Sequence, residues 1–192
     1  MVDFQHRDTH RDESGTSEPE EETAEEHDHH AHDVASVGAA VVTVSTSRSL
    51  EDDPSGDAIR DAMEAQGHRV VTREVIRDDR DRIQATVNQL VDRRDVDVVV
   101  TTGGTGVTPD DVTVEAVGPL FDKHLPGFGE LFRRRSAESV GTKVIATRAT
   151  AGVVDGVLVF LLPGSVDAVE LGTEELILPE VGHLAGLVRR DS

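Results

Sequence analysis

The sequence predicts an α/β protein, a three-layer α/β/α sandwich on a mostly parallel sheet. Three observations carry this expectation. From Val37 onward, strand-like and helix-like stretches alternate, the pattern that threads a parallel sheet through helical crossovers. Two strand stretches, 96–100 and 157–162, are continuous β-branched or apolar runs broken only by Asp97, as expected for strands covered on both faces. Four of the strands end in turns of small, hydroxyl-bearing or acidic residues, and ligands of open α/β sheets bind at that edge.

The elements follow in order. Residues 37–44 read as the first strand, ending in Ser45-Thr46-Ser47-Arg48. Asp53-Pro54-Ser55-Gly56 opens a helix with Ile59, Ala62, Met63 and Ala65 on its buried side and Gly67 as its stop. Residues 69–76 form the second strand. Asp78-Asp79 follows, with Asp79 as N-cap of a helix whose buried stripe is Ile83, Val87, Leu90 and Val91.

The central strand, 96–100, breaks into Thr101-Thr102-Gly103-Gly104-Thr105-Gly106. Residues 113–124 read as helical, interrupted at Gly118-Pro119. Pro126-Gly127 starts another helix, with Phe128, Leu131 and Phe132 on one face. Residues 143–154 look extended, and Asp155-Gly156 is a tight-turn pair before the buried strand 157–162. Pro163-Gly164-Ser165 leads into a helix carrying Val169, Leu171, Leu176 and Ile177. Pro179 interrupts it, and a short C-terminal helix closes the domain.

The 192 residues divide into a tail, 1–36, and one domain, 37–192. Through Asp33 the tail holds twelve acids, two bases and six of the nine His, with almost no large apolar side chain. Such a segment cannot bury enough surface to offset its ordering entropy and is expected to stay disordered. Its His27–Asp33 run has the chemistry to bind a borderline divalent metal, although a solvated acidic tail is the simpler reading.

The net charge of −19, with only two Lys among 19 bases, resembles a halophile surface. It argues against a nucleic-acid partner, which needs a basic face. No Cys is present, which excludes disulfides and thiolate chemistry. No membrane-spanning run or signal-peptide core is evident, so a cytoplasmic location is expected.

At the central turn, three glycines leave backbone amides free to wrap an anion, and Asp110 and Asp111 follow. Carboxylates beside a phosphate repel it unless a divalent cation lies between them, so the stretch reads as a site for a phosphorylated ligand with Mg²⁺. The P-loop spacing is absent, since neither Lys follows a Gly, and the dinucleotide fingerprint fails at Pro109. A tight strand–helix turn is the competing reading of the glycines, and helix-end charge that of Asp111.

Four motifs in order, Thr102-Gly103-Gly104-Thr105-Gly106, Asp111-Val112-Thr113-x-Glu115-Ala116, Pro126-Gly127-Phe128-Gly129-Glu130 and Leu162-Pro163-Gly164-Ser165, closely resemble the MoaB/MogA family of molybdenum-cofactor biosynthesis. The resemblance runs from about Val37 to about Leu187 and implies a molybdopterin-binding fold. With the Lys-poor surface, it points to a haloarchaeal member. It implies Mg²⁺-ATP-dependent adenylylation of molybdopterin with release of pyrophosphate, in a homotrimer or hexamer that works with a molybdenum-insertion enzyme.

By the same resemblance, Asp78 and Asp111 are the catalytic, metal-holding acids. Ser45, Ser47, Thr102, Gly103, Gly104, Thr105, Gly106, Arg148, Pro163, Gly164 and Ser165 line the phosphate and substrate site. Asp110 stands where the family often has a base, Ser47 replaces its usual Asp, and Val166 replaces a frequent Pro. A non-catalytic pterin carrier on the same fold is the alternative.

Overall fold

The computed structural model describes residues 33–189. The strands are β1 Gly38–Val44, β2 Arg69–Ile76, β3 Val98–Thr102, β4 Lys123–His124, β5 Thr150–Val154 and β6 Val157–Leu162. The α-helices are α1 Pro54–Ala65, α2 Arg80–Val91, α3 Thr113–Val117, α4 Pro126–Val140, α5 Val166–Gly172 and α6 Val181–Arg189. One six-stranded sheet runs in the order β2-β1-β3-β6-β5-β4. The first four strands are parallel, while β5 is antiparallel to β6 and β4 to β5. The predicted α/β class and mostly parallel sheet are what the chain forms.

Side-chain alternation along the strands produces the three layers. On β1, Ala39 and Val41 join the Ile59, Met63, Phe132 and Phe160 core, under α1, α4, α5 and α6. Ala40, Val42 and Val44 face the other way, onto Ile83, Val87 and Leu90 of α2 and Ala116 and Val117 of α3. All seven residues of β1 and all six of β6 are buried, so these runs are apolar apart from Thr43. Each large side chain so buried contributes about 1.5–3 kcal/mol of apolar transfer.

Local signals fix the boundaries. The Asp53 carboxylate accepts from the Gly56 amide at 3.0 Å and caps α1, and Asp79 caps α2 through the Arg82 amide at 2.8 Å. Asp155 and Gly156 have φ of 48° and 78°, the paired positive values of a hairpin turn that matches strand twist.

Four details differ from the sequence reading. Ala65 is exposed at the end of α1 rather than buried. After the Gly118–Leu120 3₁₀ turn, Lys123–His124 pairs with β5 as a two-residue strand instead of continuing a helix. Residues Gly141–Ala146 form a 3₁₀ turn, and β5 starts only at Thr150. Ile145, within the stretch that reads as extended, is 81% exposed. A π-helical turn, Thr173–Ile177, continues α5.

The His-rich run falls outside the described residues except for Asp33. Residues 33–36 are tied to the domain: the Val34 amide donates to the Gly182 carbonyl at 3.0 Å, and the Ser36 hydroxyl to that of Gly67 at 2.8 Å.

Candidate functional site

Strand register builds the site. Val44 pairs with Ile76, Thr43 with Thr102, and Thr102 with Leu162. The carboxyl ends of β1, β2, β3 and β6 therefore lie in one row, and the turns that leave them share one rim. Ser45 and Ser47 follow β1, Asp78 follows β2, the glycine loop follows β3, and Pro163-Gly164-Ser165 follows β6.

The glycine loop is held from three sides. The Gly103 amide donates to the Leu162 carbonyl at 3.0 Å, the Thr113 hydroxyl to the Gly103 carbonyl at 2.9 Å, and the Thr113 amide to the Gly104 carbonyl at 2.9 Å. Gly103 and Gly104 have φ of 99° and 65°, and a Cβ on Gly103 would lie 2.2 Å from the Val44 carbonyl oxygen. The glycines are thus required both by backbone conformation and by close approach. The Thr105 hydroxyl is buried with no partner among the described residues, a donor that a bound phosphate oxygen would satisfy.

Two carboxylates meet this loop. Asp78 Oδ1 lies 3.5 Å from where a Cβ on Gly104 would stand, and the Asp111 carboxylate packs against Gly106. Burial, with the charges of Asp111 and Asp110 adding to it, pushes the Asp78 carboxyl above its ordinary range. At Asp111, burial opposes the charge. The Thr108 hydroxyl and amide, the Gly106 amide and the Arg148 charge outweigh it and hold that carboxyl below the usual range. An acid that resists its charge beside one that keeps it suits a cation between them.

Among the described residues, no three His, Asp or Glu side chains converge as a ready-made cage. Mg²⁺ typically uses one or two protein carboxylates, with phosphate oxygens and water completing the shell. Asp78 and Asp111 fit that use. The Thr108 amide and hydroxyl fix Asp111 through Oδ2 at 2.8 and 2.6 Å.

Other expected site residues hold the rim together. The Thr102 hydroxyl donates to the Pro163 carbonyl at 2.8 Å. Arg148 donates through Nε to the Gly106 carbonyl at 2.7 Å and through its second terminal nitrogen to the Asp111 carbonyl at 2.9 Å. Its remaining terminal nitrogen pairs with Glu115, and its amide donates to the Thr105 carbonyl at 3.0 Å. Arg148 thus spans the whole loop from Thr105 to Asp111. The Gly164 carbonyl accepts from the Ser55 hydroxyl at 2.9 Å and from Arg48 at 3.4 Å. Ser45 Oγ and Ser47 Oγ lie 3.4 Å apart, and Ser165 sits exposed at the start of α5.

Sequence reasoning missed a buried cluster beneath this rim. Asp53, with its side chain 1% exposed, meets Arg48 at 3.5 Å and Arg73 at 3.2 Å, and accepts from the Thr43 hydroxyl at 2.7 Å. Its place before Pro54 signalled only a helix cap; its partners come from β1, the following turn and β2.

A mostly parallel sheet whose strand ends bring a glycine loop and two carboxylates to one rim defines an α/β protein with a candidate ligand site at that edge. The family model described as "Probable molybdopterin binding domain" matches residues 40–183. Molybdenum cofactor biosynthesis protein B of Bacillus cereus is 44% identical over 149 residues, 77% of this chain and 88% of that protein. A crystal structure of molybdenum cofactor biosynthesis protein B superposes with TM-score 0.79 at 42% identity, over 81% of this chain and 97% of that one. The tungsten cofactor synthesizing protein MoaB from Pyrococcus furiosus gives 0.72 at 40%, over 80% and 98%. The chain belongs to the MoaB/MogA family of molybdenum-cofactor biosynthesis proteins.

Proposed function

We propose that the protein transfers the adenylyl group of ATP to the terminal phosphate of molybdopterin. A terminal phosphate oxygen attacks the α-phosphorus of ATP, the bond to the β-phosphate oxygen breaks, and pyrophosphate leaves with that electron pair. The product joins pterin phosphate and AMP through a new phosphoanhydride. The observation that carries this reading is the convergence of the Gly103–Gly106 loop with Asp78 and Asp111 on one rim. Little covalent chemistry is asked of the protein; positioning and charge neutralisation dominate such transfers.

The Gly104 and Thr105 amides and the Thr105 hydroxyl hold phosphate oxygens, since the Gly103 amide is taken by Leu162 and that of Gly106 by Asp111. Asp111, kept ionised by Thr108, and Asp78 hold Mg²⁺, which when bound neutralises phosphate charge. Ser45, Ser47 and Ser165 extend the rim toward the substrate. Arg148 and Thr102 act by keeping the loop and the Pro163 turn in place.

Pyrophosphate release from ATP, Mg²⁺ and molybdopterin tests the proposal. Release that requires all three supports it; tight molybdopterin binding without release supports the non-catalytic carrier. One observation favours that second reading: Asp110 adds a third acid to a rim where Arg48 and Arg148 are both engaged by protein acceptors.

In the same proposal residues 37–192 are the catalytic domain and 1–36 an acidic tail, of which 33–36 pack on the domain. The protein works in the cytoplasm of a halophile and passes its product to a molybdenum-insertion enzyme. It assembles as a trimer or hexamer, for which the cleft of about 450 Å³ beside the half-exposed Leu131 offers an apolar face. Among the described residues no helix is long and apolar enough to cross a membrane.

A further inference from the structure

Three segments far apart in the chain meet at one arginine on the rim. Arg48, in the turn after β1, donates through one terminal nitrogen to the Ser55 hydroxyl at 2.8 Å and through the other to the Gly164 carbonyl at 3.4 Å. We infer that Arg48 is a positioning residue: with Ser55 it fixes the Pro163-Gly164-Ser165 turn against the glycine loop in the arrangement that substrate meets. Its effect on turnover rests on the adenylyl-transfer reading above; its effect on the turn does not.

The bonds close a triangle. Ser55 is fully buried, and its hydroxyl, while accepting from Arg48, donates to the same Gly164 carbonyl at 2.9 Å. Both acceptor positions of that carbonyl are then used, and each donor holds the other in line. A planar guanidinium fork reaches two acceptors in fixed directions, which a lysine ammonium does not.

Charge balance does not require Arg48. The buried Asp53 carboxylate needs a cation, but Arg73 meets it at 3.2 Å and is itself held by Asp57 at 2.7 Å. The Thr43 hydroxyl and the Gly56 amide donate to the same carboxylate at 2.7 and 3.0 Å. Arg48 stands farther from Asp53, at 3.5 Å, and its side chain is 28% exposed against 15% for Arg73. Arg73 therefore serves the buried charge, and the hydrogen bonds of Arg48 go to the rim.

What the triangle holds is a wall of the glycine loop. A Cβ on Gly164 would lie 3.3 Å from the Gly103 Cα, so the two turns are in contact. On its β3 side the turn is fixed by the Thr102 hydroxyl, which donates to the Pro163 carbonyl at 2.8 Å. Arg48 and Ser55 supply the second point, and without it the turn pivots on the first. Gly164 and Ser165 then shift relative to Gly103–Gly106, and a displacement of about 1 Å at a reacting geometry can cost about 10²-fold.

The test is a double-mutant cycle on the full chain with Arg48→Lys and Ser55→Ala. R48K keeps the charge and loses the fork; S55A removes the relay and leaves Arg48 in place. Arg73 keeps Asp53 paired in both, so the fold survives. The readouts are backbone NMR order parameters at Gly164 and Ser165, and kcat/KM for pyrophosphate release from ATP, Mg²⁺ and molybdopterin. In either variant the order parameters are expected to fall from about 0.85, the value of rigid backbone, toward about 0.6. Each variant loses about tenfold in kcat/KM, as for one hydrogen bond to a charged group. The double variant is at most about twofold worse than either single, because both side chains act on one carbonyl.

Wild-type order parameters in both single variants overturn the inference, as does a loosened turn with wild-type kcat/KM. A double variant down about a hundredfold, the product of independent roles, also overturns it. So does S55A at wild-type turnover beside a crippled R48K, which places Arg48 directly on substrate. A wild-type chain that releases no pyrophosphate defeats the transfer reading instead, and the order parameters then decide the role of Arg48 on their own.

Discussion

Arg148→Ala removes one side chain and leaves the loop from Thr105 to Asp111 without its clamp. Hydrogen bonds from a charged donor are worth about 1.5–3 kcal/mol each. The Arg148 side chain is 31% exposed, so solvent screening lowers each of its two carbonyl bonds to about 1 kcal/mol, and the Glu115 pair adds about 0.5 kcal/mol. About 2–3 kcal/mol of loop order is lost, which lowers kcat/KM about 30- to 150-fold if the ordered loop is the reactive one. The fold survives, because the backbone bond from residue 148 to Thr105 needs no side chain.

Arg148→Lys separates two roles. A lysine retains the charge a phosphate would feel but not the planar fork that reaches Gly106, Asp111 and Glu115 together. The clamp therefore predicts that R148K behaves nearly as badly as R148A. Pyrophosphate-release kinetics supply the rates, and hydrogen exchange at residues 104–111 reports the loop. Near-wild-type turnover in R148K, or unchanged loop protection in R148A, would refute the clamp.

Asp111→Asn is expected to lower kcat about 10²- to 10³-fold, as when a preorganised electrostatic partner is lost, while isothermal titration still detects molybdopterin binding. Asp78→Asn should abolish turnover yet raise the melting temperature of the metal-free protein near neutral pH; an unchanged or lower melting temperature would contradict the strained charge. The pH dependence follows in sign. Asp78, raised above its ordinary 3.8, adds stability below that value and loses it as pH climbs through the folded value. Asp111, lowered, adds stability above 3.8 and loses it as pH falls through its folded value. Urea melts should show the advantage of D78N over wild type growing with pH, and the deficit of D111N shrinking in acid. Gly103→Ala forces a side chain into φ of 99° with its Cβ 2.2 Å from the Val44 carbonyl, costing about 2–4 kcal/mol; a loss under about 1 kcal/mol would show that β1 yields there.

The sequence displayed whatever is encoded locally. β1 and β6 are buried throughout, so their runs are apolar apart from Thr43; Asp79 and Asp155-Gly156 carry cap and turn chemistry in their own side chains and backbone. Lys123–His124 has no strand pattern, because two residues at a sheet edge gain their pairing from β5 rather than from propensity. Val144 and Ile145 looked like strand residues, yet the 3₁₀ turn holds Ile145 in solvent. At the site, residue types and rim were legible through the motifs, but what each side chain touches was not. Thr102 and Arg148 read as ligand contacts, and the bonds their side chains also make to neighbouring turns were not legible. Asp53 draws Arg48, Thr43 and Arg73 from three separate segments, and no local pattern announces such a cluster.

Following a radiolabel on the α-phosphate of ATP tests the central claim most directly. Incubated with the full chain, Mg²⁺ and molybdopterin, the label should move onto the pterin in step with pyrophosphate, and Asp111→Asn should stop both. Label that stays with ATP while molybdopterin is bound would contradict the transfer and leave a carrier in its place.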